Sequence, residues 1–347
     1  MTSVAIIGAG VFGLFSALRL AEGGARVTIY ESDADKPPKH AAAAVAAGML
    51  APASELLHEG PRANPMLAEA SVAALALWRE RAFAFSDHVA FDGAYWIAED
   101  DKRIAACETA AERAQALGLD VRVAASPPSH LAARKIWRLP EEASVRAQPM
   151  LAALAQQAEA LGVDIKRGVR AAPLGGFDRV VLAPGAWTSA GLIDLAPALA
   201  LIAPAKGAIL TLDAPFPLTE VVRGAGFYAL PGAEGARVGA TMEYGRLDLD
   251  IDDRAARALY QTARTEAPAL FGNARIARVA VGVRPMSPDQ APLVGESGET
   301  LIAAGAGRNG WLLAPLAADI IAAHVFGESH AFAAAFTPGR FTQPIVL

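Results

Sequence analysis

The chain opens with a change of hydrophobic period that is typical of a strand, a helix and a second strand. Residues 4–7 form a short apolar run rich in β-branched side chains, as in a buried parallel strand. Apolar residues then recur at helical spacing, at Leu14, Ala17, Leu18 and Ala21. The pair Gly23 and Gly24 ends this helix, and residues 26–30 return to a strand pattern. A βαβ unit is therefore predicted at the N-terminus.

Further elements follow from the pattern along the rest of the chain. Apolar residues at helical spacing predict helices over 65–84, 149–161, 252–266 and 312–325. Strand patterns occupy 88–98, 121–138, 163–169, 179–182, 207–242 and 301–304. Residues 36–54 are rich in alanine, but prolines and glycines flank the run. A tight buried loop or a very short helix is therefore expected there.

The order of these elements predicts the fold class. A βαβ start, antiparallel strands in the middle and a final strand, loop and helix indicate an α/β Rossmann-type dinucleotide-binding domain. An α+β substrate domain, built on a separate antiparallel sheet, interrupts it. We expect the dinucleotide-binding domain at 1–82, 143–203 and 284–347, and the substrate domain at 83–142 and 204–283.

Composition narrows the function classes. Hydrophobic residues make up 53% of the 347 residues and charged residues 19%, which suits two domains with substantial cores. The net charge of -5 and the lack of a basic run argue against a nucleic-acid partner. The chain has no apolar stretch long enough to predict a membrane span. The six histidines form no HxxxH pair, so no metal site is expected. The single cysteine, Cys107, favours a reducing, cytoplasmic location.

The glycines after the first strand carry the first chemical signal. In a dinucleotide-binding turn, Gly8 allows the tight turn, Gly10 lets the backbone approach a pyrophosphate, and Gly13 lets helix and strand pack closely. The helix N-terminus adds free N–H groups and a partial positive charge. Glu31 ends the second strand, where a carboxylate can bind ribose hydroxyls.

Two later glycine turns favour FAD over NAD. Residues 180–185 place a strand before a glycine turn, and residues 303–310 do so again before the last helix. A cofactor that several distant segments contact is a long one, which FAD fits better than a dissociable NAD. An NAD-dependent dehydrogenase is the disfavoured alternative.

These segments together resemble the D-amino acid oxidase family of flavoproteins. Within that family the chain looks most like the glycine oxidases of the thiamin pathway. The resembling segments span the chain in the family's order: 8–13 with Glu31, 46–52, Tyr228 with 239–242, 282–285, 292–295 and 308–315. The chain departs from the family pattern at the alanine-rich 39–45, at Gly307, which stands where an aromatic is common, and at Gln290, which replaces a usual glycine.

The resemblance implies roles for individual residues. Arg284 would bind the substrate carboxylate in a bidentate fork, with Tyr228 and Arg308 beside it and Met49 at the flavin or the cavity wall. The implied FAD contacts are Gly8, Gly10, Val11, Phe12, Gly13, Glu31, Ala47, Gly48, Met49, Val169, Gly185, Trp187, Gly305, Gly307, Arg308, Asn309, Gly310, Trp311 and Leu312. The flavin is expected to be non-covalent, because His40 does not match the spacing of the relatives that attach it through a histidine.

The resemblance also implies an activity. The substrate would be glycine, a small D-amino acid or a secondary amine, and hydride transfer to the flavin would give an oxo acid, ammonia and hydrogen peroxide. Sarcosine, proline and larger D-amino acids stay open as substrates, and dioxygen is the expected acceptor. The alternatives are a family dehydrogenase that uses a quinone or protein acceptor, and a non-catalytic FAD-binding subunit of a larger complex. The sequence leaves the oligomeric state open, a homo-oligomer included.

Overall fold

The structure is a computed structural model that describes residues 1–170 and 172–341. Its strands are β1 Ser3–Ile7, β2 Arg26–Glu31, β3 Met49–Leu50, β4 Val89–Ala90, β5 Ala94–Ala98, β6 Arg122–Val123, β7 Lys135–Leu139, β8 Ala143–Val145, β9 Asp164–Arg167, β10 Arg179–Leu182, β11 Ala203–Leu212, β12 Val221–Arg223, β13 Tyr228–Leu230, β14 Arg237–Gly239, β15 Glu243–Tyr244, β16 Ile276–Met286, β17 Leu293–Ser297 and β18 Thr300–Ala304.

The helices are distributed among these strands. The α-helices are α1 Val11–Glu22, α2 Ala42–Val45, α3 Pro52–Glu55, α4 Leu67–Arg81, α5 Asp101–Ala116, α6 Ala147–Ala160, α7 Ala190–Leu195, α8 Asp253–Glu266, α9 Pro268–Phe271, α10 Gly310–Phe326 and α11 Ala333–Phe336. Short 3₁₀ turns lie at Leu56–His58, Ala82–Phe85, Pro197–Leu201 and Pro338–Phe341.

The first sheet confirms the predicted Rossmann-type unit. It has six strands in the order β17-β18-β10-β1-β2-β9. The five strands from β18 to β9 are parallel, and β17 pairs antiparallel with β18. The carboxyl ends of β1, β2, β10 and β18 therefore meet at one edge, where ligands of such sheets bind.

Helices α1, α4, α6 and α10 build the core that supports this sheet. Phe15 of α1 meets Trp78 of α4 edge to face, with ring centroids 5.2 Å apart. The Trp78 indole also donates a hydrogen bond to the Trp311 carbonyl oxygen at 2.9 Å, which fixes the start of α10. The Phe15 and Trp78 side chains are fully buried, so the helices that contribute to the cavity walls pack against a tightly filled core.

The second sheet is mostly antiparallel and faces the first across a cavity. Its order is β15-β11-β14-β13-β12-β5-β7-β6, and β16 also pairs with β11. The long pairing of β11 with β16 runs from Ala203 opposite Met286 to Leu212 opposite Ile276. A small third sheet, β3-β8-β4, lies beside the two larger ones.

Most predicted elements are confirmed, with corrections at the closing helix, at α5, and at β16 and β17, for which no strand was predicted. The closing helix begins at Gly310 rather than near Leu312. Helix α5 lies in a segment for which no element was predicted, although Asp100 caps it by accepting from the Arg103 N–H at 2.7 Å. Its buried stripe consists of small residues, including Cys107, and gives a weak hydrophobic pattern. Residues 36–54 contain the expected very short helices, α2 and α3.

Some expectations stay predictions. The domain boundaries are untested, and the last predicted segment, 284–347, extends over residues 342–347, which lie outside the described ranges. Within the described ranges, no helix combines the length and the apolar character needed to cross a bilayer. Those same residues contain no cluster of three or more His, Cys, Asp or Glu side chains suited to a metal ion.

Gln290 generates a test of backbone strain. Its φ of 65° lies in the left-handed region, which costs an ordinary L-residue about 1–2 kcal/mol. Replacing Gln290 by Gly should therefore raise the free energy of unfolding by about 1 kcal/mol, since the flexibility gained by the unfolded chain offsets only part of the relief.

The matched control is Gln156→Gly on the exposed face of α6, where glycine should destabilise by about 1 kcal/mol. Chemical denaturation followed by tryptophan fluorescence measures both variants. Destabilisation of similar size in both would contradict strain at Gln290.

Candidate active site

A continuous cavity of about 1540 Å³ runs from the carboxyl edge of the first sheet to the face of the second. Its volume exceeds the range of about 300–1,000 Å³ that is common for sites of small ligands. The cavity therefore has room for a long cofactor and a small substrate together. Its walls divide into a dinucleotide end at β1 and β2, a middle section, and a substrate end at β13 and β16.

The turn between β1 and α1 shapes the dinucleotide end. Gly8 has a φ of 108°, and a Cβ there would lie 2.3 Å from the Ala183 carbonyl oxygen. A Cβ on Gly13 would lie 1.9 Å from the Gly8 carbonyl oxygen, so the helix packs on the strand through bare backbone. Gly10 has no atom within 4 Å of its Cβ position and lines the cavity. This turn therefore offers open backbone to a ligand.

The start of α1 and Glu31 complete that end. Helix α1 has no side-chain cap, so the N–H groups of its first turn are free to bind an anionic ligand group. Glu31 accepts from the Ala9 N–H at 2.7 Å and from the Asp33 N–H at 2.8 Å. Oε1 also accepts from the Ser32 hydroxyl at 3.2 Å, whereas Oε2 keeps a lone pair that can accept from a ribose hydroxyl. The group that fits is a dinucleotide with an anionic pyrophosphate.

Backbone forms the middle of the cavity. Gly48 has a φ of 79°, and a Cβ there would lie 2.1 Å from the Val145 carbonyl oxygen. Arg237 donates to the carbonyl oxygens of Val45 and Ala46 at 2.6 and 3.2 Å, and Trp311 donates to that of Ala43 at 3.1 Å. The alanine-rich loop is thus held by its carbonyl groups, without hydroxyl side chains of its own.

Arg284 and Tyr228 lie together at the substrate end. Arg284 extends from β16 and donates to the Thr241 carbonyl oxygen at 3.3 Å. Burial lowers the pKa of its guanidinium, while the neighbouring Tyr228 hydroxyl acts in the opposite direction. Within residues 1–170 and 172–341, no carboxylate forms an ion pair with Arg284. Its donor groups are therefore available to an anionic ligand.

Glycines make room for this pair. A Cβ on Gly207 would lie 2.1 Å from Nη1 of Arg284, and a Cβ on Gly239 would lie 2.1 Å from the Tyr228 ring. Both glycines lie on strands that neighbour the side chains they admit, since Gly239 pairs with Tyr228 and Gly207 with Gly282. The sheet thus accommodates both polar side chains against its face.

Glu55 links two further arginines at the same end. Its carboxylate lies 3.0 Å from Nε of Arg308 and 3.5 Å from Nη1 of Arg223. Burial opposes ionisation of Glu55, but the charges of Arg308 and Arg223 outweigh it and hold the pKa at about 2. Partial burial, reinforced by the Arg308 charge, lowers the pKa of the nearby His58 to about 4. At neutral pH the carboxylate is therefore charged and the imidazole is not.

The cavity brings together nearly all of the residues predicted from sequence. Met49, Tyr228, Arg284 and Arg308 line it, as do the predicted FAD contacts from Gly8 through Trp311 except Gly13. Gly13 lies behind the turn, where it serves close packing. Leu312 is buried in the core of α10 and also does not line the cavity. The roles of the lining residues stay predictions.

Sequence reasoning missed four side chains at the substrate end: Glu55, His58, Arg103 and Arg223. Glu55 follows the quoted 46–52 segment by three residues, and His58 lies one helical turn further on, so their spacing offered a signal. Arg223 ends the apolar run of β12, where a charged residue is unusual. Arg103 lies in the unassigned helix and gave no signal of its own.

Comparison with known proteins is consistent with this geometry. A family described as "DAO: FAD dependent oxidoreductase" matches residues 3–324. The bifunctional protein ThiO/ThiG of Nostoc sp. (strain PCC 7120) is 30% identical over 357 residues, covering 92% of this chain and 52% of the relative. The chain thus spans about half the length of that bifunctional relative.

A relative of similar length and a solved structure are also similar to this chain. Glycine oxidase of Pseudomonas aeruginosa is 29% identical over 362 residues, covering 92% of this chain and 93% of the relative. The crystal structure of glycine oxidase from Geobacillus kaustophilus superposes with a TM-score of 0.84 at 25% identity, covering 98% of this chain and 99% of that one.

The Glu55 cluster yields a pH-dependent prediction. Glu55→Gln leaves two arginines without their shared anion, so the free energy of unfolding at pH 7 should fall by about 3 kcal/mol. Because folding lowers the pKa of Glu55 from 4.5 to about 2, this stabilisation is complete above pH 4.5 and is lost as the pH falls towards 2. The difference between wild type and variant should shrink over that window.

Urea denaturation at a series of pH values measures this difference. Glu112→Gln, on the exposed face of α5, is the control and should show no such window. A pH-independent difference for Glu55→Gln would contradict an ionised carboxylate between the arginines.

Proposed function

Because the chain belongs to the DAO family of FAD-dependent oxidoreductases, we propose that it oxidises the C–N bond of glycine, a small D-amino acid or a secondary amine. The products would be an oxo acid, ammonia and hydrogen peroxide. The observation that carries this proposal is Arg284, which faces the cavity beside Tyr228 without a carboxylate partner among the described residues.

Arg284 would bind the substrate carboxylate. A planar guanidinium matches the two oxygens of a carboxylate, and partial burial strengthens such charge-assisted bonds. Tyr228 would add a hydrogen bond from its hydroxyl. With the carboxylate fixed at two points, the α-carbon of a small amino acid has little freedom to turn, which favours a reactive orientation. A non-catalytic flavoprotein has no need of such a clamp.

The amine must be neutral when it reacts, and the charges of the site favour this form. The cations of Arg223, Arg284 and Arg308 surround the substrate end, and nearby positive charge lowers the pKa of an amine. The released proton passes to water. Glu55, with a pKa of about 2, is too weak a base to take it at neutral pH. No side-chain base is required for this chemistry.

FAD, when bound, supplies the acceptor for the hydride that leaves the substrate α-carbon. The residues fit this cofactor: the turn at Gly8 and Gly10 and the uncapped start of α1 would hold its pyrophosphate, and Glu31 its ribose. The uncapped N-terminus of α10, at Gly310, also faces the cavity and favours negative charge there. We propose that the attachment is non-covalent.

The remaining steps complete the balance of atoms and electrons. Loss of hydride and a proton converts the amine into an imine, and water hydrolyses the imine to the oxo acid and ammonia, or to the oxo acid and a primary amine when the substrate is a secondary amine. Dioxygen would receive the two electrons and two protons as hydrogen peroxide. A place in thiamin biosynthesis is part of the proposal, suggested by the resemblance to the glycine oxidases of the thiamin pathway. The fully buried Cys107 suits the reducing, cytoplasmic location that we also propose.

Anaerobic flavin reduction tests the proposal. We expect glycine, sarcosine or a small D-amino acid to bleach the flavin absorbance, because each offers the carboxylate and the α-hydrogen that the site would bind. Readmitted air should restore the colour and produce peroxide. If the flavin colour returned slowly in air and faster with an added quinone, the protein would be a dehydrogenase. A bound flavin that no amine in the panel bleaches would contradict the proposal.

Arg284→Ala tests the clamp. KM for a carboxylate substrate should rise by about 100-fold or more, since a charge-assisted bidentate contact is lost. Flavin content should stay at the wild-type level. Arg278→Ala, on the same strand but paired with Glu234 at the surface, is the control and should leave KM unchanged. If Arg284→Ala kept the wild-type KM, Arg284 would not be the residue that binds the substrate carboxylate.

A further inference from the structure

We propose that the substrate end holds a second anion subsite, formed by Arg223 and Arg103. The enzyme would then prefer amino acids or secondary amines that carry a second carboxylate over those with only one. This inference rests on the proposed function, because it assumes that Arg284 binds the α-carboxylate.

The charges at the substrate end are unbalanced. Four guanidinium groups line it, those of Arg103, Arg223, Arg284 and Arg308. Of the described residues that line this end, Glu55 carries the carboxylate that pairs with any of them, and its partners are Arg308 and Arg223. One substrate carboxylate on Arg284 would leave the excess of positive charge only partly neutralised.

Neighbouring carboxylates do not correct this imbalance. Asp248 lines the cavity but pairs with Lys206 at 2.8 Å and with Arg246 at 2.6 Å. Glu142 lies behind the wall, where its carboxylate accepts from the Ser54 hydroxyl and backbone N–H, and among the described residues it forms no ion pair with an arginine. The substrate end therefore keeps a net positive charge that a ligand can offset.

Arg223 has an N–H donor without a hydrogen-bond partner. It is only 3% exposed, yet its Nε has no hydrogen-bond partner. Its Nη2 contacts the Met49 sulfur at 3.2 Å, and its Nη1 lies 3.5 Å from a carboxylate that Arg308 holds more closely. A guanidinium has five N–H donors, and buried donors without partners are costly. Because Arg223 lines the cavity and shares Glu55 with Arg308, a second anion there would offset its charge.

Arg103 reaches the same place from another element. It extends from the first turn of α5, and its Nη2 donates to the Gly224 carbonyl oxygen at 2.9 Å, directly after Arg223. Its Nε is also buried without a partner. The charges of both arginines contribute to the lowered pKa of His58. Two guanidinium groups thus meet at one wall, each with an unused donor.

Both anion positions adjoin Tyr228. Arg284 interacts with the Tyr228 hydroxyl, and Cζ of Arg223 lies 6.0 Å from the centre of the Tyr228 ring. A short acidic side chain, or a carboxymethyl group on the amine, can span a single aromatic side chain. A substrate with two carboxylates would therefore contact both arginine groups at once.

The test compares substrates that differ only in charge. D-Aspartate and D-asparagine have nearly the same shape, and D-glutamate and D-glutamine form a second pair. We expect wild-type kcat/KM to favour the acid over its amide by about tenfold or more, as one charge-assisted contact would give. Arg103→Gln should lower this ratio about tenfold. Lys102→Gln, its exposed neighbour on α5, should keep the wild-type ratio.

A binding measurement separates failure of the subsite from failure of the proposed function. Succinate and succinamate, which lack an amine, are titrated into the holoenzyme and followed by perturbation of the flavin spectrum. Succinate should bind about tenfold more tightly, and Arg103→Gln should remove the difference. Equal affinities, or a preference that survives Arg103→Gln, would overturn the subsite even if glycine is oxidised. An Arg103-dependent preference without turnover of any amine would keep the subsite and overturn the oxidase.

Discussion

The carboxylate of Glu55 lies between the guanidinium groups of Arg308 and Arg223, and these three side chains come from distant parts of the chain. Helix α3 carries Glu55, β12 ends in Arg223, and Arg308 lies in the turn before α10. Removing charges from water is costly, and only close pairing of opposite signs makes it tolerable. The three segments therefore hold one another in position. Together they set the width of the substrate end.

A buried polar network holds α3 in place for this purpose. The Ser54 hydroxyl and backbone N–H both donate to Glu142, at 2.8 and 2.7 Å, and the Trp96 indole donates to the Ser54 hydroxyl at 2.7 Å. Trp96 belongs to β5 of the second sheet, so the network joins α3, which follows the cavity-lining alanine-rich loop, to the sheet that carries Arg284 and Tyr228. A network satisfied in this way is rigid, which keeps Glu55 at a fixed distance from both arginines.

Small residues supply the space that these charged groups need. Gly207 and Gly239 leave room for Arg284 and Tyr228 on the sheet face, and Gly48 lets the loop approach Val145. The loop before Gly48 is nearly all alanine, and its carbonyl groups are held by Arg237 and Trp311. Backbone carbonyl groups thus hold this loop in place, although it has no hydroxyl side chains of its own.

The sequence by itself determined the βαβ unit, because strand and helix periods are local and because the Cβ of any residue at Gly13 would meet the carbonyl oxygen of Gly8, five positions earlier. It also identified Arg284, Tyr228 and Arg308 through motifs of the family. It did not identify helix α5, whose buried face is small residues, nor the role of Glu55, Arg103 and Arg223. Those side chains are separated by tens to hundreds of positions, and no local period links them. Only tertiary packing decided which charges share one cavity, because electrostatic interaction depends on distance in space and on burial, neither of which the order of residues specifies.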